Sequence, residues 1–140
     1  PKAGDELKGV NTNNKVYYHN VGTAQSNDQL MYEDPEHPLN MWNMYTTNDE
    51  SILVLIGSTP STRGNSLYYK KADDKKSEFI AIEKSYDFQT YIIDNIGNTL
   101  FVMTNKEAPK NKLFALNIED KNQKRKELIN TNLIEKIVLK

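Results

Sequence analysis

The sequence predicts an antiparallel all-β protein, and three observations carry the prediction. Apolar residues fall in short runs rich in Tyr, Ile, Val and Phe, such as Val16-Tyr17-Tyr18, Leu30-Met31-Tyr32 and Ile52 to Ile56. Clusters of turn formers separate the runs: Asn48-Asp49, Arg63-Gly64-Asn65, Asp73-Asp74, Gly97-Asn98 and Pro109-Lys110-Asn111. No apolar stripe of helical period is sustained over a helical length.

Taken in order, the elements repeat. Trp42 and Phe88 stand 46 residues apart, as do Tyr45 and Tyr91 and also Leu67 and Leu113. Thr59 to Leu67 lies over Asn105 to Leu113 without a gap. Each unit opens with an aromatic residue and a strand. A polar turn leads to a nearly continuous apolar strand, Ile52 to Ile56 or Leu100 to Met103. A loop of about nine residues follows, then a half-buried strand (Leu67-Tyr68-Tyr69 or Leu113 to Leu116), a charged turn and a last short strand. The second strand is apolar on both faces, which requires a sheet covered on both sides. The last strands, Phe79 to Glu83 and Lys126 to Ile129, carry more charge, as solvent-facing edges do. Gly64 and Gly97 are expected to supply positive φ in turns.

Four strands repeating in the forties are what a β-propeller blade requires. The expected architecture is an open piece of a propeller: residues 1–38 end one blade, 39–84 and 85–130 are full blades, and 131–140 start another or form a tail. Ile137-Val138-Leu139 would open that next blade. A β-sandwich is the competing all-β arrangement.

Composition narrows the function. The 140 residues suffice for one ordinary domain. A net charge of −1 argues against nucleic-acid binding. The basic runs Lys70-Lys71, Lys75-Lys76 and Lys124-Arg125-Lys126 stand beside acidic residues and read as solvated mixed-charge loops. The lack of cysteine rules out disulfides and thiol chemistry and leaves the compartment open, cytoplasmic or periplasmic. No run has the roughly 18 apolar residues of a membrane span. No signal peptide opens the chain, and position 1 is Pro, so the natural start is expected to lie upstream.

Catalytic signatures are missing. Gly57-Ser58-Thr59-Pro60-Ser61 lacks the second glycine and the following helix of a hydrolase nucleophile elbow. His19 reads as an edge histidine and His37 as a turn residue making local hydrogen bonds. Pro35 and Pro38 spread Glu33, Asp34, Glu36 and His37 along an extended loop, which disfavours a metal site. Asp28, Asp34, Asp49 and Asp94 read as turn carboxylates capping backbone N–H groups. No cofactor or metal is expected.

Ordered motifs then point to a family. Lys15-Val16-Tyr17-Tyr18-His19, Gly22-Thr23-Ala24-Gln25-Ser26-Asn27-Asp28, Tyr32-Glu33-Asp34-Pro35-Glu36-His37-Pro38, and Thr104-Asn105-Lys106-Glu107-Ala108-Pro109-Lys110-Asn111-Lys112-Leu113 resemble, in family order, segments of the prolyl oligopeptidase propeller. Tyr86-Asp87-Phe88 and Asn95-Ile96-Gly97 resemble shorter pieces between them.

The resemblance implies a seven-bladed propeller capping an α/β-hydrolase domain of the same chain. It implies a serine peptidase that cuts short peptides after proline with a Ser-Asp-His triad lying outside this sequence, so that the chain alone has no activity. By carry-over, Met41 and Ser61 line the substrate cleft; the alternative for Met41 is packing between blades beside Trp42. Arg63 either meets an anionic group at the channel mouth or is a solvated loop residue. A stand-alone interaction module is the other functional reading. Exposed blade faces and edges lead to the expectation that the isolated chain self-associates.

Overall fold

A computed structural model describes Gly4 and residues 9–130. The expected strand at Ile137-Val138-Leu139 lies outside the described residues. The elements in order are β1 (Lys15–Tyr18), a 3₁₀ turn (Gln25–Asn27), β2 (Gln29–Glu33), β3 (Met41–Thr46), β4 (Ile52–Ser58), β5 (Asn65–Lys71), β6 (Ile80–Glu83), β7 (Thr90–Ile96), β8 (Thr99–Thr104), β9 (Lys112–Asn117) and β10 (Arg125–Asn130).

They form a hairpin, β1-β2, and two four-stranded antiparallel meanders, β3-β4-β5-β6 and β7-β8-β9-β10. Each meander is the predicted four-strand unit, a propeller blade. The sheets stack in chain order, and the middle one is covered on both faces. Paired residues point to the same side of a pleated sheet. The row Tyr45, Val54, Tyr69 therefore faces the third sheet, and the row Trp42, Gly57, Ser66 faces the hairpin.

The core lies between the two meanders. Ile52, Val54, Leu67, Tyr69 and Ile82 of one sheet meet Ile92, Leu100, Val102, Phe114 and Leu116 of the other. Burying each large aliphatic side chain here contributes about 1.5–3 kcal/mol. On the hairpin side an aromatic stack does the same work. Tyr32 lies 4.6 Å from Trp42 and 6.1 Å edge-on to Phe79, and Trp42 lies 6.0 Å from Tyr68. The Trp42 N–H donates to Asn14 Oδ1 at 2.6 Å, pinning the approach to β1 onto β3. Trp42 Nε1 is buried and has no hydrogen-bond partner among the described residues.

Several expectations need correction. The loops after the second strands are shorter than nine residues, because β5 and β9 begin before their apolar runs, at Asn65 and Lys112. The 46-residue correspondence fails on the first strands. Trp42 is buried within β3, whereas Phe88 precedes β7, and the connection from Thr47 to Ser51 is replaced in the second unit by Gly97-Asn98. Lys70 is a strand residue only 9% exposed, its ammonium 5.0 Å above the Phe79 ring, because β5 is an interior strand with the hairpin over it. Glu83 ends the outer strand β6 yet is buried against the next sheet. Both faces of β4 are well covered, whereas Phe101 and Met103 on the outer face of β8 are only half-buried.

Gly97 has φ +53° in the β7-β8 turn, as expected, but Gly64 does not have positive φ. Gly64 is needed for close approach instead. A Cβ there would sit 2.3 Å from the Tyr86 carbonyl oxygen and 2.5 Å from the Phe88 nitrogen, both backbone atoms of the next unit.

Candidate functional site

The meander topology collects the sequence-predicted site residues on one rim. The start of β3, the end of β4 and the start of β5 must lie at the same end of their sheet. Met41 pairs with Ser58, and Ser58 pairs with Asn65, so the three form one cross-strand row on the face turned toward β7-β10. Met41 is 44% exposed on the opposite face of β3 from buried Trp42, so it does not pack beside Trp42 between sheets. Ser58 Oγ donates to the Met41 carbonyl at 3.5 Å. Ser61 is exposed in the following loop, its hydroxyl 3.3 Å from Thr59 Oγ1. Arg63 is exposed there too, and its carbonyl accepts from Gln89 Nε2 at 3.4 Å.

The rim is fixed by asparagines. Asn65 Nδ2 donates to the Thr90 carbonyl at 2.7 Å, and the Thr90 N–H donates to Asn65 Oδ1 at 3.0 Å. The Asn65 N–H donates to the Phe88 carbonyl at 2.9 Å. One residue of β5 thus holds the entry of β7, and with it the loop that carries Ser61. Asn105, from the Thr104-Asn105 motif, does the same within the third sheet. Its Oδ1 accepts from the Gln89 N–H at 2.8 Å, and its own N–H donates to the Gln89 carbonyl at 3.1 Å. The Thr90 and Thr104 hydroxyls meet at 2.8 Å. Asn40 Nδ2 donates to Tyr86 Oη at 3.0 Å.

Glu83 adds an ion pair beside the rim. Its Oε2 accepts from Lys106 Nζ at 2.9 Å, with 8% of the Glu83 side chain exposed. Burial alone would raise this carboxyl, but the Lys106 ammonium and the Ser85 N–H outweigh it and hold it below the usual glutamate range.

The opposite rim is clasped by acid-amide pairs. Asn48 Nδ2 donates to Asp94 at 2.7 Å, and Asn95 Nδ2 donates to Asp49 at 2.9 Å. The Ser51 backbone N–H, then the Ser51 hydroxyl and Asn95, hold Asp49 well below the usual carboxylate range. The Asn95 N–H, then the Asn48 side chain, lower Asp94 likewise. Asp34 caps the His37 N–H, and His37 Nδ1 lies 3.0 Å from the same carboxylate, the expected local turn. Asp28 differs from the expectation: its carboxylate faces His19 Nδ1 at 2.6 Å across the hairpin loop.

Among the described residues no group of three or more His, Asp or Glu is placed to hold a metal ion, and neither Ser58 nor Ser61 meets a histidine. Sequence reading missed Asn65 as a clamp between neighbouring sheets and Asn105 as a clamp within the third sheet. The signal was an asparagine directly before or after an apolar strand, which also fits an ordinary turn.

Stacked four-stranded meanders, with cleft candidates on one rim, define a section of a β-propeller. The chain matches the family described as prolyl oligopeptidase, N-terminal beta-propeller domain, over residues 1–138, and it belongs to that family. A prolyl endopeptidase of Elizabethkingia meningoseptica is 35% identical over 120 residues, covering 86% of this chain and 17% of the relative. Prolyl oligopeptidase A of Amanita bisporigera is 32% identical over 108 residues, covering 74% of this chain and 14% of the relative. Among solved structures, prolyl oligopeptidase B from Galerina marginata bound to a 25mer macrocyclization substrate superposes with a TM-score of 0.79 at 25% identity, covering 89% of this chain and 18% of that one. The chain spans less than a fifth of the length of these relatives.

Proposed function

We propose that this chain is a section of the propeller domain of a longer serine peptidase that cleaves short peptides after proline. The observation that carries the reading is the family match over residues 1–138, on a chain whose sheets stack as the propeller of a substrate-bound relative does. The bond-breaking residues lie in an α/β-hydrolase domain of the same longer chain, and this section supplies part of the wall that admits peptides.

Within that wall, Met41 and Ser61 line the substrate cleft. Met41 offers an exposed, flexible thioether suited to varied peptide side chains. Ser61 offers a hydroxyl on a loop held by Asn65 and Gly64. The isolated chain self-associates through the half-covered outer face of β8 and its free strand edges; a clean monomer in light scattering at high concentration would refute this.

The experiment for the main reading uses the longer protein that contains this chain. A short peptide with one internal proline is incubated with it, and the products are weighed by mass spectrometry. Cleavage on the carboxyl side of proline is the expected result. No such cleavage by folded protein overturns the reading.

A further inference from the structure

The sequence has four methionines and no cysteine, so its sulfur chemistry rests on thioethers alone. Three of them, Met31, Met44 and Met103, are half-buried in strands. Met41, at the start of β3, is 44% exposed.

The exposure of Met41 does not come from a missing neighbour on its own side. It stands on the face of β3 turned toward the β7-β10 sheet, and all four strands of that sheet are present. Met44, three residues on in the same strand, stands on the opposite face. Further strands beside the hairpin would cover Met44 more deeply and lie across β3 from Met41. Thioether oxidation needs direct access of the oxidant to sulfur, so Met41 is the sulfur of this sequence most open to it.

We propose that Met41 is a reversible oxidation site that tunes the peptide cleft; the effect on the cleft rests on the lining role given to Met41 above. A hydroperoxide transfers its outer oxygen to Met41 Sδ. The O–O bond breaks and an S–O bond forms. The thioether is oxidised by two electrons, and the peroxide leaves reduced, as water or an alcohol. A thiol-dependent reductase reverses the step: two thiols become a disulfide, and the oxygen departs as water. The sulfoxide replaces a polarizable apolar wall with a polar, chiral one. A cleft open to peptides also admits a peroxide, and no thiol in this sequence competes for it. Apolar peptide side chains then lose their partner on the wall. The bond-breaking residues lie elsewhere, so KM rises and kcat holds.

The test uses the longer protein that contains this chain. It is treated with hydrogen peroxide, and its digest is weighed by mass spectrometry. In parallel, kcat and KM are read on a short proline peptide with large apolar side chains. Met41 should gain one oxygen at least threefold faster than Met31, Met44 or Met103. KM should rise at least threefold in step with that gain, with kcat within twofold. Methionine sulfoxide reductase with a thiol reductant should restore the starting KM. Met41→Leu cannot take up the oxygen; it sets its own starting KM, and peroxide should leave that value unmoved. Equal oxidation of the four methionines, an unchanged KM when Met41 is fully oxidised, or a peroxide-induced rise that persists in Met41→Leu overturns the proposal. No post-proline cleavage by the untreated protein is a different failure: it overturns the peptidase reading and the effect on the cleft with it, while the order of oxidation is still decided by mass.

Discussion

Asn65 and Thr90 make a two-way bridge between neighbouring sheets: the Asn65 carboxamide both donates to and accepts from the Thr90 backbone, at 2.7 and 3.0 Å. Both residues are buried, so water does not stand in for either partner. Truncation in Asn65→Ala orphans an N–H and a carbonyl together, which costs about 2–4 kcal/mol. Asn65→Asp keeps the acceptor, loses the donor and buries a charge. It should be comparably unstable at neutral pH and partly recover in acid. Urea unfolding at two pH values measures both.

Three glycines should respond to alanine in a fixed order. At Gly64 the added Cβ meets backbone atoms of the next unit at 2.3 and 2.5 Å, which cannot rotate away. About 3 kcal/mol or more is expected. At Gly57 the obstacles are the Trp42 ring and Ser66 Oγ, both at 2.5 Å, and these side chains can shift, so about 1–3 kcal/mol is expected. At Gly97 the space is open and the strain of φ +53° costs about 1–2 kcal/mol. Thermal unfolding of the three variants reads the order directly.

The Glu83-Lys106 pair gives an acid dependence. The Glu83 carboxyl lies below its ordinary value of 4.5, so its contribution is fully present above pH 4.5 and is lost as pH falls through the lower folded value. Lys106→Met leaves a buried carboxylate with the Ser85 N–H as its hydrogen-bond partner, at about 1–3 kcal/mol. In that variant the lowering by Lys106 is lost, so the Glu83 carboxyl shifts upward and less stability is lost as pH falls. The slope of unfolding free energy against pH between 3 and 6 should therefore be shallower in the variant than in the parent.

Tyrosine ionisation gives an alkaline counterpart. Burial, and for Tyr32 also the charge of Asp34, pushes Tyr32 and Tyr45 up to about 12. The Tyr45 hydroxyl donates to the Ile92 carbonyl at 3.1 Å across the sheet interface. Their contribution is complete below the ordinary value of 10.0 and is lost as pH rises through about 12. Ultraviolet titration should show a late phase, and Tyr45→Phe should remove part of it.

Much of the fold was legible because burial on both faces leaves a plain mark. Ile52 to Ile56 could be nothing but a covered strand, and the recurring turn clusters set the four-strand unit. The residue-level repeat was less legible. An aromatic residue marks the opening of both units, yet Trp42 sits inside its strand and Phe88 outside, a difference fixed by connection length rather than by residue type. Charge misled twice. Lys70 and Glu83 looked like surface residues, but the hairpin covers one and the next sheet covers the other, and single-strand patterns do not contain those neighbours. Met41 and Ser61 came from family resemblance. The physical sequence signal did not show that Asn65 joins their rim to the next sheet.

The proposed role of these sheets is that of a wall admitting short peptides to a post-proline peptidase. The most direct measurement compares two substrates of the longer protein: a short proline-containing peptide, and the same sequence held in an exposed loop of a large folded protein. Cleavage after proline in the peptide and none in the folded protein is the expected result. Equal cleavage of both, or no post-proline cleavage of the peptide, would contradict it.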